Sequence, residues 1–107
     1  MTDATVQVDD DGDDSVRIAV TGEIDMDNCG DVEHRLLAAI GNQLAAVTLD
    51  LGGLDYIDSA GLRVLFTLGT RLQTLQIAVR LVVPAESPLR RVIDLSGLAG
   101  VIPVSSS

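Results

Sequence analysis

The chain has 107 residues, enough for one domain with a single modest core, and no linker or repeat divides it. Its formal net charge is −9, with seven arginines and no lysine, so it lacks the clustered cations that nucleic acid or an anionic membrane surface requires. Apolar residues make up 47%, with one Tyr, one Phe and no Trp, so the core is aliphatic, of the kind a helix-covered sheet uses.

Residues 1–14 are polar and acidic, unlike a secretory signal. Thr5-Val6-Gln7-Val8 and Val16-Arg17-Ile18-Ala19-Val20 alternate and predict an antiparallel hairpin. The turn between them spans Asp9 to Asp14, with Gly12 free to take positive φ. It does not fit a calcium loop: an EF-hand starting at Asp9 needs Gly at 14 and Glu at 20, where the chain has Asp14 and Val20.

Asn28 then reads as an N-cap, with Asp31 and Glu33 early in a helix where the dipole favours them. Val32, Leu36 and Ile40, with Cys29 or Ala39, form its apolar stripe, and Gly41 is a stop. Cys29 is the only cysteine, which excludes an internal disulfide and fits a reducing cytosol. His34 lies off the stripe and reads as exposed. Residues 46–51 predict a buried strand. Leu54-Asp55-Tyr56-Ile57-Asp58 leads into a helix from Ser59 to about residue 74, with Leu62, Leu65, Phe66, Gly69 and Leu72 on one face. Val64 and Leu68 fall on its back, either packed under a neighbouring helix or open to a partner. Residues 77–83 predict another strand. Ser87-Pro88 reads as N-cap and first residue of a third helix with Leu89, Val92 and Ile93 inward, and Gly97 stops it. Residues 101–104 predict a short last strand, at an edge because Pro103 lacks an N–H.

A hairpin followed by alternating helices and strands predicts an α/β fold. The sheet is small and mostly parallel, with an antiparallel first strand and helices in βαβ crossovers. Open α/β sheets keep their sites beyond the carboxyl ends of parallel strands, and Asp58-Ser59 falls there. Ser59 at a helix start has two readings. It is an N-cap whose hydroxyl accepts an amide, or a position already suited to carry a phosphate. Asp25 and Asp58 are turn formers or contacts for a partner.

Enzymatic motifs fail. Ile57-Asp58-Ser59-Ala60-Gly61 lacks the first glycine of a nucleophile elbow, and the sole histidine lies on a different helix. A chain without lysine has no P-loop, and no Cys/His cluster fits zinc. No cofactor or metal is expected.

Three stretches come in order: Thr21-Gly22-Glu23-Ile24-Asp25, then Leu49-Asp50-Leu51 leading into Ile57-Asp58-Ser59-Ala60-Gly61-Leu62, then Arg91-Val92-Ile93-Asp94-Leu95-Ser96-Gly97-Leu98. Together they resemble the STAS domain of bacterial anti-sigma factor antagonists over nearly the whole chain. Ala60 departs from the common pattern, where Ser or Thr is frequent, and leaves Ser59 as the only hydroxyl of the motif. The resemblance implies strands ordered roughly as in the chain, with the Asp25 and Asp58 turns close together. It implies a cytoplasmic binding module, not an enzyme. The unphosphorylated form binds an anti-sigma factor and frees a sigma factor. That partner, a serine kinase using its own ATP, phosphorylates Ser59 and ends binding; a phosphatase resets it. Asp25, Asp58, Ser59, Ala60, Gly61 and Leu62 are the implied contacts. Similar domains also serve as binding subunits of lipid-transport or stress-sensing assemblies. A small-ligand-binding module or cryptic enzyme is the alternative of another class.

Overall fold

A computed structural model describes residues 3–10, 12–41 and 43–107. Asp11, part of the expected acidic turn, lies outside them. The hairpin forms as the alternation predicts. β1 (Ala4–Asp10) pairs antiparallel with β2 (Ser15–Ile24), and Gly12 in the turn has φ 130°. Then follow α1 (Cys29–Ala39), β3 (Ala46–Asp50), β4 (Leu54–Ile57), α2 (Ser59–Thr74), β5 (Ala78–Val82), α3 (Arg90–Ser96), a 3-10 turn (Leu98–Gly100) and β6 (Val104–Ser105). The sheet order is β1-β2-β3-β5-β6, parallel after the hairpin, with β4 beside β2. The expected fold class and near-sequential strand order are therefore observed.

Strand alternation separates two faces of the sheet. Val16, Ile18 and Val20 of β2, Val47 and Leu49 of β3, and Val79 and Leu81 of β5 are buried. They form one core with Val32 and Leu36 of α1 and Leu65, Leu68 and Leu72 of α2. The alternate positions Arg17, Thr48 and Arg80 stand in register on neighbouring strands, and Arg17 pairs with Asp50 at 2.7 Å.

Four expectations are corrected. β4 was not foreseen; it continues the line of β3 along β2 after a break at Gly52-Gly53, so that β2 is flanked there too. Val64 and Leu68 are 7% and 2% exposed, which closes the reading of them as partner contacts; α2 packs on α1 as well as on the sheet. Ser87 does not start α3. Its Oγ accepts from Leu89 N at 3.2 Å inside a turn, and the helix begins at Arg90. Val92 is 39% exposed, so only Leu89 and Ile93 of the proposed stripe reach the core. The last strand is confined to Val104–Ser105, at the edge as Pro103 suggests.

Helix α2 ends in a Schellman motif. Ile77 N donates to Leu72 O at 2.8 Å and Gln76 N to Gln73 O at 3.0 Å, while Ile77 and Leu72 are both buried. The residue that turns the chain is Gln76, with φ 60°, a left-handed conformation that costs a residue with a Cβ about 1 kcal/mol. Gln76→Gly is therefore expected to stabilise the fold by about 0.5–1 kcal/mol, raising the thermal midpoint by roughly 3–6 °C. A lowered midpoint in calorimetry contradicts this.

Candidate partner-binding and phosphorylation site

The register of β2 and β4 builds the site. Ile24 pairs with Ile57 as the last residues of two parallel strands, so Asp25 and Asp58 leave the sheet side by side. Asp58 N donates to Ile24 O at 3.2 Å, which holds the two exits together.

Asp58, not Ser59, is the N-cap of α2. Its backbone is extended (φ −103°, ψ −172°) and its Oδ1 accepts from Gly61 N at 3.0 Å. Its Oδ2 accepts from Met26 N at 3.2 Å, across to the loop between β2 and α1. One carboxylate thus caps the helix and anchors the loop opposite. Ser59 is the first helical residue. It is exposed, and its hydroxyl makes no hydrogen bond among the described residues. The expected N-cap role of Ser59 is corrected on that geometry.

The facing loop is stiffened by its own polar groups. Asp25 N donates to Asn28 Oδ1 at 2.9 Å, and Asn28 Nδ2 donates to Glu23 O at 2.8 Å. Asp25 Oδ1 accepts from Asp27 N at 2.9 Å, and Asp25 O accepts from Cys29 N at 2.8 Å. Asn28 stands at the N-cap position of α1 as expected, but its side chain closes the loop and does not cap the helix.

Of the six expected contact residues, Ser59 is exposed and Asp25, Asp58, Ala60 and Leu62 are half-buried. Gly61 is buried and presents no surface. A Cβ there would lie 2.6 Å from Ile57 Cγ1 and 2.9 Å from Ile24 Cγ2. Its role is to let α2 approach the strand ends. Met26 and Arg63, absent from the sequence reading, and Tyr56, named there within the stretch leading to Ser59 but not as a contact, join the surface. Met26 is 76% and Tyr56 50% exposed, and Arg63 is exposed one turn beyond Ser59. An apolar Met26 between two aspartates in a turn was the available signal. Between α1 and α2 runs a groove of about 300 Å³, lined by Cys29, Gly30, Glu33, Ala60, Arg63 and Val64 among others. His34 is exposed, as expected, and no described group of His, Cys, Asp and Glu could hold a metal. No described helix is long and apolar enough to cross a membrane.

The capping geometry separates two alanine substitutions. Asp58→Ala is expected to cost about 1–2 kcal/mol through the lost cap, while Ser59→Ala stays within about 0.5 kcal/mol of wild type. Equal losses in urea unfolding contradict this assignment.

The STAS domain family model matches residues 5–107. A putative anti-sigma factor antagonist, BtrV of Bordetella bronchiseptica, is 37% identical over 87 residues, covering 80% of this chain and 73% of the relative. The crystal structure of an anti-sigma factor antagonist from Mycobacterium paratuberculosis superposes with a TM-score of 0.84 at 27% identity, covering 98% of this chain and 87% of that one. The anti-sigma factor antagonist SpoIIAA in its unphosphorylated form shares the fold, with a TM-score of 0.74 at 19% identity over 96% of this chain and 90% of its own. With these matches beside the paired Asp25 and Asp58 turns, the chain belongs to the STAS domain family.

Proposed function

We propose that this protein is an anti-sigma factor antagonist. Its unphosphorylated form binds a kinase-type anti-sigma factor and so frees a sigma factor. That kinase, using ATP held in its own site, phosphorylates Ser59 and ends binding; a phosphatase restores it. Sigma factors and ATP are cytoplasmic, so the cytoplasm is the proposed location. The chain itself acts as a binding module and kinase substrate.

The observation that carries this reading is the exposed hydroxyl of Ser59, which makes no hydrogen bond among the described residues. A kinase needs an accessible Oγ that can rotate toward the γ-phosphate. Asp58 takes over the cap, so Ser59 can be modified without dismantling the helix end. The related antagonists named above support the choice of partner. Exposed Met26 and Tyr56 supply apolar area beside Asp25, Asp58, Ser59, Ala60 and Leu62, and Gly61 shapes the turn from below.

Incubation with the partner kinase and ATP tests the reading. Wild type is expected to gain one phosphate that mass spectrometry maps to Ser59, and Ser59→Ala to gain none while still binding the partner. Phosphate on Ser87 or Ser96 with Ser59 untouched overturns it.

A further inference from the structure

We propose that Arg63 is the internal ligand of a phosphate on Ser59. The guanidinium reaches back one helical turn and holds the phosphate over the groove between α1 and α2, away from the carboxylates of Asp58 and Asp25. The inference rests on the Ser59 reading above.

Spacing is the first ground. Ser59 and Arg63 are i and i+4 on α2, which puts their Cβ atoms about 6 Å apart on one face, with the anion on the N-terminal side, the favourable order. That face is open: Ser59, Arg63, Thr67 and Thr70 are all exposed, while Gly61, Val64, Leu65 and Leu68 point into the core.

Availability is the second ground. Arg35 is engaged with Asp31 at 2.9 Å and Ala4 O at 3.2 Å. Arg90 is engaged with Asp94 at 3.2 Å and Val83 O at 2.7 Å, and Arg17 with Asp50. Arg63 makes no ion pair among the described residues, although Glu33 of α1 lines the same groove.

Charge balance is the third ground. A phosphoserine carries about −1.5 to −2 charges at neutral pH. The charged groups around it are Asp58 at the α2 cap, Asp25 and Asp27 on the facing loop, Glu33 on α1, and Arg63. Among the described residues, Arg63 is the only cation lining the groove. The three carboxylates of Asp25, Asp27 and Asp58 push the phosphate off the loop side, and the Arg63 guanidinium, whose planar fork suits phosphate oxygens, draws it toward the groove against the carboxylate of Glu33 there. In the unmodified protein Ser59 gives Arg63 no anion to hold.

The test installs phosphoserine at position 59 during translation, so it does not depend on whether a kinase selects Ser59. Phosphorus NMR titration is then compared for wild type, Arg63→Gln and Arg63→Lys. Near pH 6 the ratio of phosphate dianion to monoanion is expected to be about threefold higher in wild type than in Arg63→Gln, with Arg63→Lys between them. In wild type the Arg63 Nε–H resonance is expected to shift as the phosphate ionises, a readout that needs no substitution. Equal ratios in wild type and Arg63→Gln, or an Arg63 resonance blind to the phosphate titration, overturn the proposal. If the pair forms but the kinase leaves Ser59 untouched, the proposed function fails and the Arg63 inference stands.

Discussion

Phosphoserine at position 59 is expected to weaken binding to the anti-sigma partner at least a hundredfold, about 2.7 kcal/mol or more, with little change of fold. Ser59 is exposed directly beyond the paired ends of β2 and β4, so a partner seated on the two strand exits covers it. Covering a dianion strips its water, and a buried charge costs several kcal/mol unless partners replace the lost hydration. The neighbours on the loop side are Asp25, Asp27 and Asp58, which offer none. A single partner carboxylate about 6 Å from the phosphate adds roughly 3 kcal/mol of repulsion per phosphate charge at an effective dielectric of 20. Conformational change is not needed, because Asp58 retains the Gly61 amide and the helix keeps its cap. Calorimetric titration of both forms reads the affinity, and a loss under threefold contradicts the expectation. Amide NMR shifts limited to the Asp25 loop and the start of α2 are expected; shifts spread through β3, β5 and α3 contradict the local mechanism.

Gly61→Val is expected to be the most destabilising substitution at the site, costing about 3 kcal/mol and lowering the thermal midpoint by roughly 12–18 °C. The new Cβ alone meets Ile57 Cγ1 at 2.6 Å and Ile24 Cγ2 at 2.9 Å, and two further methyl groups follow it. Ile24 and Ile57 are 1% and 5% exposed and cannot move outward freely. Relief therefore comes from lifting α2 off the strand ends, which strains the Gly61–Asp58 cap and the Asp58–Met26 bridge. Partner affinity is expected to fall with stability. Gly30 of α1 is the control. A Cβ there meets nothing within 4 Å, so Gly30→Ala is expected to stabilise by about 0.5–1 kcal/mol through helix propensity. Unchanged melting of Gly61→Val contradicts the packing account.

The hairpin, the three central strands and the extent of α2 were legible because their periodicities are long and unmixed. The failures have local physical causes. β4 has four residues, and Asp55 and Tyr56 are both exposed where the register with β2 shifts, so alternation was absent. The face of α2 was read as Leu62, Leu65, Phe66, Gly69 and Leu72, whereas the buried set is Gly61, Val64, Leu65, Leu68, Gly69 and Leu72. A helix that packs on both a sheet and another helix is apolar over a wide arc, and its centre is ambiguous from spacing alone. At Ser87 the hydroxyl does accept an amide two residues on, but the same bond serves a turn as well as a cap. At the site, the pairing of Asp25 with Asp58 was expected from family resemblance and not from spacing. Met26 carried a signal in its place between two aspartates, but the bond from its N–H to Asp58, 32 residues on, is a contact that one-dimensional order does not carry.

Asp58 uses both of its oxygens as acceptors, one for Gly61 N and one for Met26 N. Helix caps ordinarily treat Asp, Asn and Ser as near equivalents. Here that equivalence breaks. Asparagine has one acceptor and one donor group, so either the helix amide or the loop amide would face an N–H. Serine is too short to span to both. Glutamate has two acceptors but one methylene too many to reach back to its own helix. The position therefore selects for a forked acceptor of fixed reach, and the acidity of the residue is secondary to that shape. An interchange that looks conservative by charge, size or capping statistics would uncouple the helix from the loop facing it.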